Sequence, residues 1–223
     1  YAGMDHIGFL RSSQQPSLGR IIKAMDDNLM MSKGNIIFIK PSGTGTLVPG
    51  KTYHIFSTKK TSETIGGKRF SGIRHVIKAH IEIQEHKGDH ATALITDSFQ
   101  PAYKDDMIME FYERDRQLTV NNTPGPIDAR IICSEEDHLM INDYIIAFIN
   151  KGRDSVKPGD VYSVKRRNSV KNNSLWPKTP GSNSVQLDDL ESGKLIVLHT
   201  EDISATVMIL SSRYPIHPDD IVN

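Results

Sequence analysis

The sequence predicts an all-β protein made of two tandem, internally duplicated, small antiparallel β-barrel-like domains. Three observations carry that reading: the chain repeats itself in order, apolar residues alternate with polar ones, and turn-forming residues punctuate the alternating runs. A length of 223 residues suits two domains, since single units run to about 100–150 residues. Hydrophobic residues make up 37% of the chain, enough to give each unit a core and to separate it from disordered sequence.

The repeat is explicit. Arg20-Ile21-Ile22, Leu29-Met30 and Ile36-Ile37-Phe38-Ile39 recur at the same spacing as Arg130-Ile131-Ile132, Leu139-Met140 and Ile146-Ala147-Phe148-Ile149. Pro49-Gly50 and Tyr53 return as Pro158-Gly159 and Tyr162. Ala91-Thr92, Ser98, Pro101 and Asp105-Asp106 return as Ala205-Thr206, Ser212, Pro215 and Asp219-Asp220. These matches place a first domain over residues 1–113, a linker over 114–128 and a second domain over 129–223. Residues 114–128 contain Asn121-Asn122-Thr123-Pro124-Gly125-Pro126, a composition that favours connection over packing.

Alternation as in His80-Ile81-Glu82-Ile83-Gln84 and Thr52-Tyr53-His54-Ile55 is the pattern of a half-buried strand. Five or six such strands per copy can close into a barrel, which removes the exposed edges that invite aggregation. Each copy also carries a polar insertion at the same point, residues 57–71 and 167–186, and both read as loops. Basic charge recurs there, with Lys59, Lys60, Lys68, Arg69 and Arg74 in the first region and Lys165, Arg166, Arg167, Lys171 and Lys178 in the second. Trp176 adds an aromatic that can stack on a sugar or a base. Lys59, Lys60, Lys68, Arg69, Lys165, Arg166, Arg167 and Trp176 are therefore the candidate ligand-contacting residues, for an anionic ligand.

Other motifs read as structural. Gly45-Thr46-Leu47-Val48-Pro49-Gly50-Lys51-Thr52 spells a P-loop, but a phosphate cradle needs a helix starting at Lys51-Thr52, and Tyr53-His54-Ile55-Phe56 reads as a strand. His86 and His90 bracket Gly88-Asp89, a hairpin tip and not a helix face that would hold zinc. Cys133 lies in an alternating run with no placed histidine, and as the only cysteine it excludes an internal disulfide. Asp105-Asp106 and Asp219-Asp220 read as turn residues, and Met30, Met31 and Met140 as fillers of core gaps. Catalytic, cofactor and metal residues are accordingly expected to be none. Zero formal charge disfavours nucleic acid as the main partner, because neutralising phosphates takes a concentrated basic excess. No apolar run approaches the roughly 20 residues of a membrane-spanning helix.

Five segments together carry a likeness: Ile7-Gly8-Phe9-Leu10-Arg11, Gly34-Asn35-Ile36-Ile37-Phe38-Ile39, Val48-Pro49-Gly50, Val156-Lys157-Pro158-Gly159-Asp160-Val161-Tyr162 and Gly193-Lys194-Leu195-Ile196-Val197-Leu198-His199-Thr200-Glu201. They resemble the region following the LysM domain in secreted LysM peptidoglycan-binding proteins of Gram-negative bacteria. The same pattern is similar to the C-terminal domain of a flagellar outer-membrane assembly protein. The resemblance implies an export signal and a LysM module upstream, and a periplasmic or envelope location. It also implies peptidoglycan, another anionic envelope polymer or envelope proteins as partners. The expected function is a non-enzymatic envelope-binding or scaffold module; the alternatives are an OB-like nucleic-acid-binding module and a hydrolase of envelope polymer. Aromatic and basic residues sharing one barrel face would favour the second, and converging carboxylates the third.

Overall fold

A computed structural model describes residues 4–43, 47–114, 117–122, 124–171 and 184–223. Trp176 and Lys178 lie outside them, as do Gly45 and Thr46 of the P-loop spelling. The described residues hold fifteen strands and no helix. In the first repeat these are β1 (Phe9–Arg11), β2 (Gly19–Ala24), β3 (Ile36–Pro41), β4 (Thr52–Ile65), β5 (Lys68–Lys87), β6 (His90–Ser98) and β7 (Met107–Glu110). In the second they are β8 (Ala129–Ser134), β9 (Ile146–Ile149), β10 (Val161–Arg166), β11 (Ser169–Lys171), β12 (Ser184–Gln186), β13 (Leu190–Thr200), β14 (Ala205–Ser212) and β15 (Ile221–Val222).

The first sheet runs β1-β5-β4-β7-β2-β3-β6, and a further β5–β6 pairing returns it on itself as a six-stranded ring with β1 added to β5. The second is a closed barrel in the order β10-β13-β14-β9-β8-β15. Substituting equivalent strands turns one order into the other, so the duplication seen in the residues is a duplication of topology. All the assigned strand pairings are antiparallel.

Cores and turns repeat with the strands. Ile21, Ile39, Ile55, Ile83, Ile95 and Ile108 fill the first barrel, and Ile131, Ile149, Val164, Val197, Ile209 and Val222 occupy the equivalent positions of the second. Each such side chain contributes about 1.5–3 kcal/mol when fully buried. Left-handed backbone recurs at Asp27 and Asp137, Gly50 and Gly159, Asp105 and Asp219, and at Gly34 and Tyr144. A β-bulge follows Ile21 in β2 and Ile131 in β8, which sharpens the local twist and lets six short strands close.

Contacts divide the chain into Tyr1–Thr61 with Gly72–Gln117 and, as the second unit, Ser62–Ser71 with Leu118–Asn223. The tip of the β4–β5 hairpin is thus a member of the second unit. There the Gly66 N–H donates to Asp219 Oδ1 at 2.6 Å, and Arg130 donates to the Asp219 carbonyl at 2.8 Å. Residues 57–71 are therefore strand and tight turn, not the loop that their polar composition suggested. Of these residues only Thr61 and Ile65 are buried, four positions apart, so the arms carry no alternating apolar stripe and polarity alone did not reveal them.

Candidate functional site

The predicted basic residues separate by environment. Lys59 and Lys60 are exposed on β4, and Lys68 and Arg69 are exposed at the start of β5, where Arg69 Nε donates to Ser62 Oγ at 3.1 Å. Arg74 is 2% exposed and belongs to the packed interior, so its charge is not offered to solvent. In the second repeat Lys165 and Arg166 are half-buried and Arg167 is exposed. The Arg166 guanidinium is engaged by the Pro215 carbonyl, His217 and, at 3.7 Å, Asp220, which gives it a structural task.

The carboxylates that drew attention close turns. Asp106 accepts the Tyr103 N–H at 2.7 Å, and Asp220 accepts the His217 N–H at 2.9 Å, one turn in each repeat. Asp106 also accepts two hydrogen bonds from the half-buried Lys78 ammonium, at 2.8 and 3.0 Å. Asp160 accepts the Lys157 N–H and the Asn121 amide, each at 2.9 Å, beside a cleft of about 290 Å³. Burial first, then this carboxylate, pushes the Tyr162 phenol up to about 12. Thr52 opens a strand, so the P-loop spelling leads to no helix. His90 starts β6 after the Gly88-Asp89 turn, with its Nδ1 2.8 Å from Asp89 Oδ1. Cys133 is buried in β8.

The methionine expectation divides. Met31 is buried and so is its counterpart Ile141, but Leu29 and Met30 are 86% and 57% exposed, and Leu139 and Met140 are 80% and 58% exposed. Two copies that keep an apolar pair in water at the same place are not filling a core gap.

Two arrangements escaped sequence reasoning. The first is a groove of about 500 Å³ on the outside of the first barrel, lined by Ile22, Lys23, Phe38, Lys40, Asp89 and His90. The bulge in β2 creates it, because the extra residue turns both Ile22 and Lys23 outward, opposite Phe38. Phe38 and His90 stand edge to face with ring centres 5.8 Å apart, giving an aromatic floor between two lysines. In the second repeat the equivalent Ile132, Cys133 and Phe148 are all buried.

The second is an aromatic and imidazole cluster in the first unit. His54 of β4 lies 4.8 Å from His80 of β5 and 4.9 Å from Phe111, while His80 also meets Phe99 at 4.9 Å. His54 Nε2 accepts the Tyr112 N–H at 3.3 Å; His54 Nδ1 and His80 Nε2 are buried without a hydrogen-bond partner. Burial, then the neighbouring His80 and Arg114, lowers His54 to about 3. Burial also lowers His80, against the opposing pull of Asp5 and Asp97. Both rings are therefore neutral near pH 7. Among the described residues no three His, Cys, Asp or Glu side chains group to hold a metal ion. Alternation marks His54 and His80 as strand residues, but nothing in a single sequence pairs positions 26 apart.

The chain matches no family model and no curated protein.

Proposed function

We propose that this chain is a non-catalytic binding and scaffold module of the cell envelope, the region behind a LysM domain in an exported protein, and that it holds an anionic envelope polymer such as peptidoglycan. The observation that supports the ligand class is the presentation of Lys59, Lys60, Lys68 and Arg69 as exposed side chains on strand backbone. A strand fixes where a charge stands, so less ordering entropy is lost on binding than from a free loop. The employment of Asp106, Asp160 and Asp220 in turn closure supports a non-catalytic role.

Exposed ion pairs are worth about 1 kcal/mol or less each, so useful affinity requires several at once. Co-sedimentation with purified peptidoglycan should therefore fall steeply between ~0.1 M and ~1 M salt, as the screening length shortens from about 10 to about 3 Å. Lys59→Ser with Lys60→Ser should remove part of the binding. Adding Lys68→Ser, Arg69→Ser and Arg167→Ser should remove most of it. Binding that ignores salt and survives all five changes would leave a spacer or protein-docking scaffold.

One observation favours a second reading, a single-stranded nucleic-acid binder: the Phe38–His90 pair between Lys23 and Lys40 on one barrel face. The barrels have six strands each, against the five of an OB-fold. Fluorescence anisotropy with a labelled oligonucleotide decides it, since Phe38→Ala should then cost about 1–3 kcal/mol for a stacked base.

A further inference from the structure

We propose that residues 4–7 and 111–114, near the two ends of the first unit, form a strap clasped over His54 and His80, and that acid opens this strap while the barrel beneath it stays folded. The two segments are tied to each other. The Arg114 N–H donates to Asp5 Oδ1 at 2.9 Å, and the Arg114 guanidinium donates to the carbonyls of Met4, at 3.4 Å, and Ile7. The tied segments meet the barrel wall at the two imidazoles. His54 accepts the Tyr112 N–H at Nε2, and His80 is hydrogen-bonded to the Asp5 backbone. Phe111 stands 4.9 Å from His54 and 5.1 Å from His80, and His6 stands 4.8 Å from Phe99, which itself packs on His80. Neither segment belongs to a strand, so no sheet ladder ties it to the barrel, and such segments open at the low end of a protein's range of local stabilities.

The geometry decides where the next proton goes. Because Nε2 of His54 accepts the Tyr112 N–H, the neutral ring carries its proton on Nδ1. A second proton therefore lands on Nε2 and turns the acceptor of Tyr112 into a donor facing a donor. Both N–H groups of a charged His54 would then lack an acceptor, since Nδ1 is buried without a partner already. The cation also has His80 and Arg114 beside it, while the Asp5 carboxylate, which favours it, is engaged by the Arg114 N–H. His80 is the more tolerant ring: burial disfavours a charge there, as does His6, but Asp5 and its register partner Asp97 of β6 favour one. His54 is therefore the trigger. Release of the strap carries Arg114 away and lets water reach Nε2, so the charged ring is accommodated only in the open state. The closed state is fully stabilised above about pH 6.5 and is undermined as the pH falls towards 3, each unit making opening ~10-fold easier for the one proton taken up.

Amide exchange of the full 223-residue chain, followed by NMR from pH 7 to pH 4 and corrected for the intrinsic rate at each pH, tests this. The amides of Tyr112 and Arg114 report on the strap. Those of Ile83 and Ile95, which donate to the Lys51 and Asn35 carbonyls, report on the barrel. At pH 7 the strap amides should already be less protected than the barrel amides. Between pH 6 and pH 4 their protection should fall ~10-fold per unit, about 100-fold in all, with the barrel amides still the better protected at pH 4. His54→Gln keeps an acceptor near the position of Nε2 and cannot titrate, so it should lose most of that slope. Strap and barrel amides of equal protection at every pH would mean that the ends leave only when the whole unit unfolds, and would overturn the proposal. So would wild-type strap protection indifferent to pH, a result that needs no variant to fold, or a His54→Gln slope as steep as the wild type. Peptidoglycan binding rests on other residues, so its failure leaves this result intact.

Discussion

Acidification from pH 7 to pH 4 destabilises the first barrel by about 3 kcal/mol through His54 alone. The folded-state pKa of His54, about 3, lies below the 6.5 of the unfolded chain. The unfolded state therefore binds more protons throughout the interval between them. The stabilisation is complete above about pH 6.5 and is lost progressively as the pH falls towards 3. Physically, a proton on either ring places a cation beside a second imidazole in a packed site where Arg114 already contributes positive charge. His80 titrates in the same direction, and Asp5 and Asp97 oppose it. Urea unfolding at a series of pH values, with constant m, measures the effect. His54→Phe keeps the ring packing with Phe111 and His80, removes the titrating group, and should flatten the curve between pH 6.5 and 4. A variant as steep as the wild type would show that other groups set the acid sensitivity.

Replacing Gly159 by Ala costs about 3 kcal/mol or more, and replacing its counterpart Gly50 by Ala costs about 1–2 kcal/mol. Both glycines have positive φ, 96° and 78°, which an L side chain adopts at a penalty. They differ in space. A Cβ at Gly50 meets nothing within 4 Å, whereas one at Gly159 would stand 2.1 Å from the Thr119 carbonyl oxygen. That oxygen is backbone, so relief requires moving the segment before Asn121, whose N–H donates to the Gly159 carbonyl at 2.9 Å. Thermal melts of the two variants separate the conformational penalty from the clash, because the duplication supplies the same turn with and without the obstacle. Equal losses would show that φ alone sets the cost.

The first barrel was legible where pattern and geometry share a period. Ile81 and Ile83 alternate with polar residues and point inward, and the Pro-Gly turns recur with their left-handed glycines. Basic residues were legible as a class but not as a surface: Arg74 and Lys60 read alike until closure buries one and exposes the other. Polar residues 57–71 read as a loop because the only buried members, Thr61 and Ile65, stand four apart and do not show the twofold alternation of a strand.

By itself the sequence determined the strand period, the duplication and hence the identity of the two barrels, since a twofold alternation and an ordered repeat are local, countable properties. Only the tertiary structure decided which outer faces stay open. Phe38 and Phe148 are the same residue at the same position of the same fold, yet one floors a groove and the other is fully buried. The difference arises because outer-face burial depends on what the rest of the chain lays over a strand, and an isolated repeat carries no trace of its cover. The His54–His80 cluster has the same origin: strand pairing across the barrel joins residues whose separation in sequence gives no sign that they will meet.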